Sequence, residues 1–168
     1  MKRRTIYDPN EIVIHDDYAE VVLYDKNCVE IDKVLIDLED IEKVSKHKWH
    51  KSYSGYAVTS NSKPMHRLII KCPKEKFIDH INHNKLDNRK QNLRICNKQQ
   101  NAFNMKILNT NRSGIKGVGF HKHTNKWRAR IVVNDKEIYL GIFNTIEEAT
   151  KARKEAELKY FGEYRNKD

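Results

Sequence analysis

Asp79-His80-Ile81-Asn82-His83-Asn84-Lys85-Leu86-Asp87-Asn88-Arg89-Lys90-Gln91-Asn92-Leu93-Arg94 is the stretch whose reading decides the fold. Residues 82–92 are polar and short of β-branched side chains, so they predict a loop. Leu93-Arg94-Ile95-Cys96 predicts a short strand. Asn97 then predicts an N-cap for a helix through Lys98-Gln99-Gln100-Asn101-Ala102-Phe103. A strand ending in Asp79-His80, a polar loop, a strand beginning near Asn92 and a helix bearing Asn101 make a β-β-α unit. That geometry can bring all four side chains around one cation.

Those residue types suit phosphodiester hydrolysis. The reaction needs a base to deprotonate water, a hard cation to neutralise the leaving oxygen, and a group to orient the base. His80 can be the base. Asp79 and Asn101 offer oxygen ligands suited to one Mg²⁺ or Mn²⁺ ion. Asn92 can hold the His80 ring through its amide oxygen. His83 makes an H-x-x-H pair with His80, but no cysteine lies nearby at zinc-ligand spacing. His83 is read as a solvated loop residue or a phosphate contact, and His66 as packing beneath the site. Arg67, Arg94 and Lys98 are candidates for the scissile phosphate or for ordinary surface charge.

Working outward, the upstream chain is β-rich. Glu11 to Ile14, Ala19 to Tyr24, Val29 to Asp32 and Gly55 to Thr59 read as strands, and Asp37 to Val44 as a short helix. Met65 to Ile70 reads as strand or helix. Downstream, Asn109 to Gly114 is a polar connector. Three strands then follow, from Gly117 to Phe120, Lys126 to Val133 and Glu137 to Gly141, with a turn at Asn134-Asp135. Thr145 with Glu148 forms a capping box for a helix carrying Ala149, Ala152, Ala156 and Tyr160 on one face. The fold class expected is α+β. A β-rich region (1–64) precedes a β-β-α nuclease motif (65–108). A three-stranded antiparallel sheet packed on one helix (109–168) completes the chain.

Charge follows this division. The 168 residues carry a net +10. Residues 1–64 hold 10 Lys/Arg against 12 Asp/Glu, residues 65–110 hold 10 against 3, and residues 111–168 hold 13 against 8. The positive excess in the last two-thirds points to a polyanion, with nucleic acid the default. The chain has neither a long apolar run nor a basic amphipathic helix, so a membrane is not expected. Cys28, Cys72 and Cys96 form no C-x-x-C pair, which fits a reducing compartment. Met1-Lys2-Arg3-Arg4 has no apolar segment after it and does not read as a signal peptide.

From Asp79 to Asn101, with Met65-His66-Arg67-Leu68 upstream, the chain resembles the His-Asn-His endonucleases. It is most similar to the phage and intron-homing branch, whose last His is Asn. The spacing of 12 from His80 to Asn92 and 9 from Asn92 to Asn101 is that branch's. The resemblance implies Asp79 and Asn101 as metal ligands, His80 as general base, Asn92 as its positioner, and 5′-phosphate and 3′-hydroxyl products. Asn101 in place of His makes the site oxygen-rich, which disfavours zinc.

Residues 113–164 resemble the APETALA/ethylene-response-factor DNA-binding domain. The match is carried by Ser113-Gly114, Gly117-Val118, Lys126-Trp127-Arg128-Ala129, Leu140-Gly141, Phe143, Thr145, Glu147-Glu148-Ala149 and Tyr160-Phe161-Gly162-Glu163. The resemblance implies a sheet lying in the DNA major groove. If Ala129 and Ile131 pack on the helix, Arg128 and Arg130 point outward, where arginine can read guanine edges. Trp127 is ambiguous by parity, and Lys122, Lys126 and Tyr139 are phosphate candidates. Gly119-Phe120-His121-Lys122 stands where that family has Arg-x-Arg, so its base preference does not carry over.

The expectation is a metal-dependent endonuclease acting on double-stranded DNA. It is expected to be monomeric, without a protein partner, and phage- or mobile-element-encoded in a host cytoplasm. The alternative is a catalytically inactive DNA-binding regulator. RNA binding is weakened by the shortage of stacked surface aromatics.

Overall fold

The computed structural model describes residues 4–105 and 111–166. The connector expected from Asn109 lies partly outside them. The chain divides into two compact units, residues 1–96 and 97–168.

The first unit begins with an antiparallel sheet of β1 (Ile12–Ile14), β2 (Ala19–Tyr24) and β3 (Glu30–Ile36), with β2 central. The strand expected at Val29 to Asp32 runs on to Ile36, because Val34 and Ile36 alternate inward and are fully buried. A single 3₁₀ turn leads into α1 (Ile41–Ser45). A two-stranded ribbon of β4 (His50–Lys51) and β5 (Ala57–Val58) follows. Met65 to Ile70, open between strand and helix in the sequence, begins as α2 (Met65–Ile69). Pro64 stands just before it, where its missing N–H costs nothing.

The hairpin of β6 (Phe77–His80) and β7 (Leu93–Cys96) completes the unit, with Asp79 opposite Arg94 and His80 opposite Leu93. One core joins these pieces. Val21, Leu23, Val34 and Ile36 of the sheet meet Trp49, Met65, Ile78, Leu86 and Leu93. Residues upstream of 65 therefore share their interior with the β6–β7 hairpin.

The second unit begins with α3 (Lys98–Phe103), capped as the sequence predicts. Asn97 Oδ1 accepts from the Gln100 N–H at 2.8 Å, and Gln100 Oε1 accepts from the Asn97 N–H at 2.8 Å. The antiparallel sheet of β8 (Val118–His121), β9 (Lys126–Val133) and β10 (Lys136–Phe143) has β9 in the middle. Asn134 and Asp135 both take positive φ in the β9–β10 turn, matching the right-handed twist of the strands.

The helix α4 (Ile146–Phe161) packs on this sheet, closed at its start by the Thr145–Glu148 box. Ala149 and Ala156 are buried against Ala129 and Ile131. Tyr160, expected on that face, is exposed; Phe161 is buried instead, stacked on Phe103 at 3.6 Å between ring centroids. Arg153 is buried too, donating to the Arg130 carbonyl at 2.6 Å and to Glu157 at 2.9 Å. Gly117 (φ +76°) lies against this arginine, and a Cβ there would sit 2.3 Å from the Arg130 carbonyl oxygen.

Candidate active site and nucleic-acid interface

The loop from Ile81 to Asn92 is polar as expected, but it is tightly tied. Its asparagines supply side-chain acceptors where strand partners are missing. Asn82 Oδ1 accepts from the Asn84 N–H at 2.9 Å, and Asn84 Oδ1 from the Leu86 N–H at 3.0 Å. Asn92 closes the loop at its base. Its amide oxygen accepts from the Asn82 N–H at 2.9 Å, and its amide nitrogen donates to the Asp87 carbonyl at 2.8 Å.

Asp87 is the hub. Its carboxylate accepts from Arg89 Nε and Nη2, both at 2.8 Å, and from Asn82 Nδ2 at 2.9 Å. Burial pushes its pKa up, but Arg89 and Asn82 outweigh that and hold it below the ordinary 3.8.

Asp79, His80 and Asn92 all come to this place and are all buried. Asp79 Oδ2 accepts from Arg94 Nε at 2.9 Å and Nη2 at 2.7 Å, across the β6–β7 pair. Arg94 thus faces the carboxylate expected to hold a cation. The group beside the His80 ring is Asn88, whose Oδ1 lies 3.3 Å from His80 Nε2. The oxygen of Asn92, expected to hold this ring, accepts from the Asn82 N–H.

Two further rings enclose His80. His66 on α2 meets it edge-on at 5.3 Å between centroids, and Tyr56 stands at 5.8 Å. His66, expected to pack beneath the site, is buried against the His80 ring; Tyr56, Asp87 and Asn88 the sequence passes over. The repeated Asn/Asp spacing of 82, 84, 87 and 88 signals a side-chain-stapled loop, and could have marked the last two.

The rings are held neutral. Burial is the main cause for His80, whose pKa falls below 6.5 although Asn88, Asp79 and Asp87 pull the other way. An imidazole that is neutral near pH 7 can accept a proton. His66 falls further, to about 4, through burial and then the neighbouring His80 and Arg67. It is 8% exposed. Its protonation is easier in the unfolded chain, so its contribution is full above pH 6.5 and drains away between 6.5 and 4. The shift corresponds to about 3 kcal/mol. Urea unfolding of the full chain across this range should show stability falling with pH, and His66→Phe should flatten the decline.

Lys98 and Asn101 lie on α3 of the second unit, Lys98 exposed and Asn101 half-buried. Arg67 is exposed, with Nη2 donating to the Lys76 carbonyl at 3.0 Å. In the C-terminal sheet, Ala129 and Ile131 are buried and Arg130 is exposed, as parity requires. Arg128 is half-buried on the outward side, while Trp127 packs inward against the Val118–Ala129–Ala149 cluster. Arg130 pairs with Glu137 at 2.5 Å. Lys122, Lys126 and Tyr139 are exposed. Among the described residues, three closely set His, Cys, Asp or Glu ligands occur only at Asp37, Glu39 and Asp40. No helix among the described residues is long and apolar enough to cross a membrane.

Residues 65–103 match the HNH endonuclease family model. An uncharacterized HNH endonuclease of Acanthamoeba polyphaga mimivirus is 34% identical over 129 residues, covering 72% of this chain and 66% of that protein. Protein 3.8 of Escherichia phage T7 is 37% identical over 65 residues, 39% of this chain and 54% of that protein. An ethylene-responsive transcription factor of Arabidopsis thaliana is 30% identical over 96 residues, 56% of this chain and 21% of that protein. The chain spans less than two thirds of the length of each. No solved structure matches it. The buried Asp79-His80 pair, with Asn92 closing the loop at its base, lies within the segment that is similar to the HNH endonuclease family.

Proposed function

We propose that the chain is a divalent-metal-dependent endonuclease hydrolysing phosphodiester bonds in double-stranded DNA, with the C-terminal unit choosing the site. The observation that carries this reading is a buried, neutral His80 beside the Asp79 carboxylate inside the HNH match. His80 takes the proton of the attacking water. Asn92 holds the loop on which the site is built, and Arg94 and Arg67 are candidates to meet phosphate oxygens, as is Lys98 in the second unit.

HNH nucleases are generally divalent-metal dependent, and the donor set here suits a hard ion. Asp79 offers carboxylate oxygen, and the Arg94 guanidinium stands against it as a positive stand-in. Asp79 would be a ligand of one Mg²⁺ or Mn²⁺ ion, which would neutralise charge on the leaving oxygen. Incubation of the full chain with supercoiled DNA should give nicked or linear product with Mg²⁺ or Mn²⁺ and none with a chelator. Binding without cleavage under all these conditions would favour the inactive-regulator reading.

In the second unit, Arg128 and Arg130 occupy the sheet face that α4 leaves open, in a segment rich in Lys and Arg. Two linked DNA contacts raise the local concentration of each at the other. Deletion of residues 110–168 should therefore weaken DNA binding and flatten site preference while some Mg²⁺-dependent cleavage remains. Unchanged site choice in mapped cleavage products would overturn the assignment of the C-terminal unit.

A further inference from the structure

We propose that Asn88 is the positioning residue that fixes the tautomer of the His80 ring, so that Nε2 carries the proton and Nδ1 is the basic nitrogen. This rests on the reading of His80 as general base. The side-chain oxygen of Asn88 faces His80 Nε2 at 3.3 Å. An amide oxygen only accepts, so the bond exists only when Nε2 is protonated. In a neutral imidazole the other nitrogen then holds the lone pair, and proton abstraction from water falls to Nδ1.

Asn88 is built to hold that position. It is 1% exposed. Its N–H donates to the Leu35 carbonyl at 2.8 Å, while the Leu35 N–H donates to the Leu86 carbonyl at 2.8 Å. Leu35 lies in β3, so the loop is laced to the N-terminal sheet by a parallel bridge at Asp87. The orienting oxygen thus rides on a three-stranded sheet, and the upstream region gains a role in the chemistry. The rings of His66 and Tyr56 also stand against the His80 ring, at 5.3 and 5.8 Å between centroids.

The amide nitrogen of Asn88 adds nothing to fold stability. Among the described residues, Asn88 Nδ2 is buried without a hydrogen-bond partner. Such a group costs about 1–3 kcal/mol, and leucine, which branches at Cγ in the same way, would carry no unpaired donor. A local cost of this kind is expected where a side chain is kept for function. What the amide offers in return is its oxygen, aimed at the imidazole.

The test is ¹⁵N NMR of the histidine rings in the full chain near neutral pH, with His80 assigned through His80→Gln. Wild type should show His80 as the Nε2–H tautomer. Asn88→Leu should move it toward Nδ1–H, and Asn88→Asp, which keeps an acceptor, should restore it. In cleavage assays Asn88→Leu should lower kcat about 10²-fold with KM little changed. A wild-type His80 in the Nδ1–H form, or a tautomer indifferent to Asn88→Leu, would overturn the proposal. The wild-type spectrum decides even if the leucine variant does not fold. It also needs no activity, so absence of cleavage by wild type would count against the nuclease reading alone.

Discussion

His80→Ala should abolish DNA cleavage while leaving DNA binding intact. A positioned general base contributes about 10²–10⁴ in rate, so kcat should fall by that factor. The loss should not come from unfolding. His80 is buried but shares its pocket with His66, Tyr56 and Asn88, and the apolar core of the unit is built from other side chains. Gel-shift affinity should be near wild type, because the cations expected to meet phosphate are untouched. Equal loss of binding and cleavage would mean that His80 is structural.

Asp87→Ala should have the larger effect on the fold. Three strong bonds, two from Arg89 and one from Asn82, converge on a carboxylate that is 2% exposed. Hydrogen bonds to charged groups are worth about 1.5–3 kcal/mol each, but the freed Arg89 can turn toward water. The net cost should be about 2–4 kcal/mol. Cleavage should fall too, since residues 86–88 are the segment laced to β3. Asp87→Asn should recover part of the Asn82 contact and little of the Arg89 pair. Chemical denaturation read alongside cleavage checks both effects. A variant as stable as wild type would show that Asp87 is not the hub of the loop.

What the sequence made legible was local. The capping residues Asn97 and Thr145 fix two helix starts through bonds spanning three positions, and both are where the sequence puts them. The alternation at Ala129, Arg130 and Ile131 gives the faces of β9 for the same reason. The Asp79-His80 pair and Asn92 come together because a short loop returns the chain from β6 to β7.

The rest depended on contacts between distant segments. Nothing in the spacing of residues 82–92 says that Leu35 will take the Asn88 N–H, or that Asn88 will face the His80 ring while the Asn92 oxygen takes the Asn82 N–H. The Asp79–Arg94 pair depends on strand register, which the loop's internal bonds set. Tyr160 and Phe161 are equally suited to a helix face by type. The Phe103 ring decides between them.

Cleavage of DNA by the full chain in H₂¹⁸O tests the central claim most directly, with mass spectrometry of the newly formed ends. If His80 activates water against the phosphodiester, the label should enter a 5′-phosphate and leave an unlabelled 3′-hydroxyl, and His80→Ala should yield neither. Label-free 5′ ends, a 3′-phosphate, or the same labelled product from His80→Ala would contradict it.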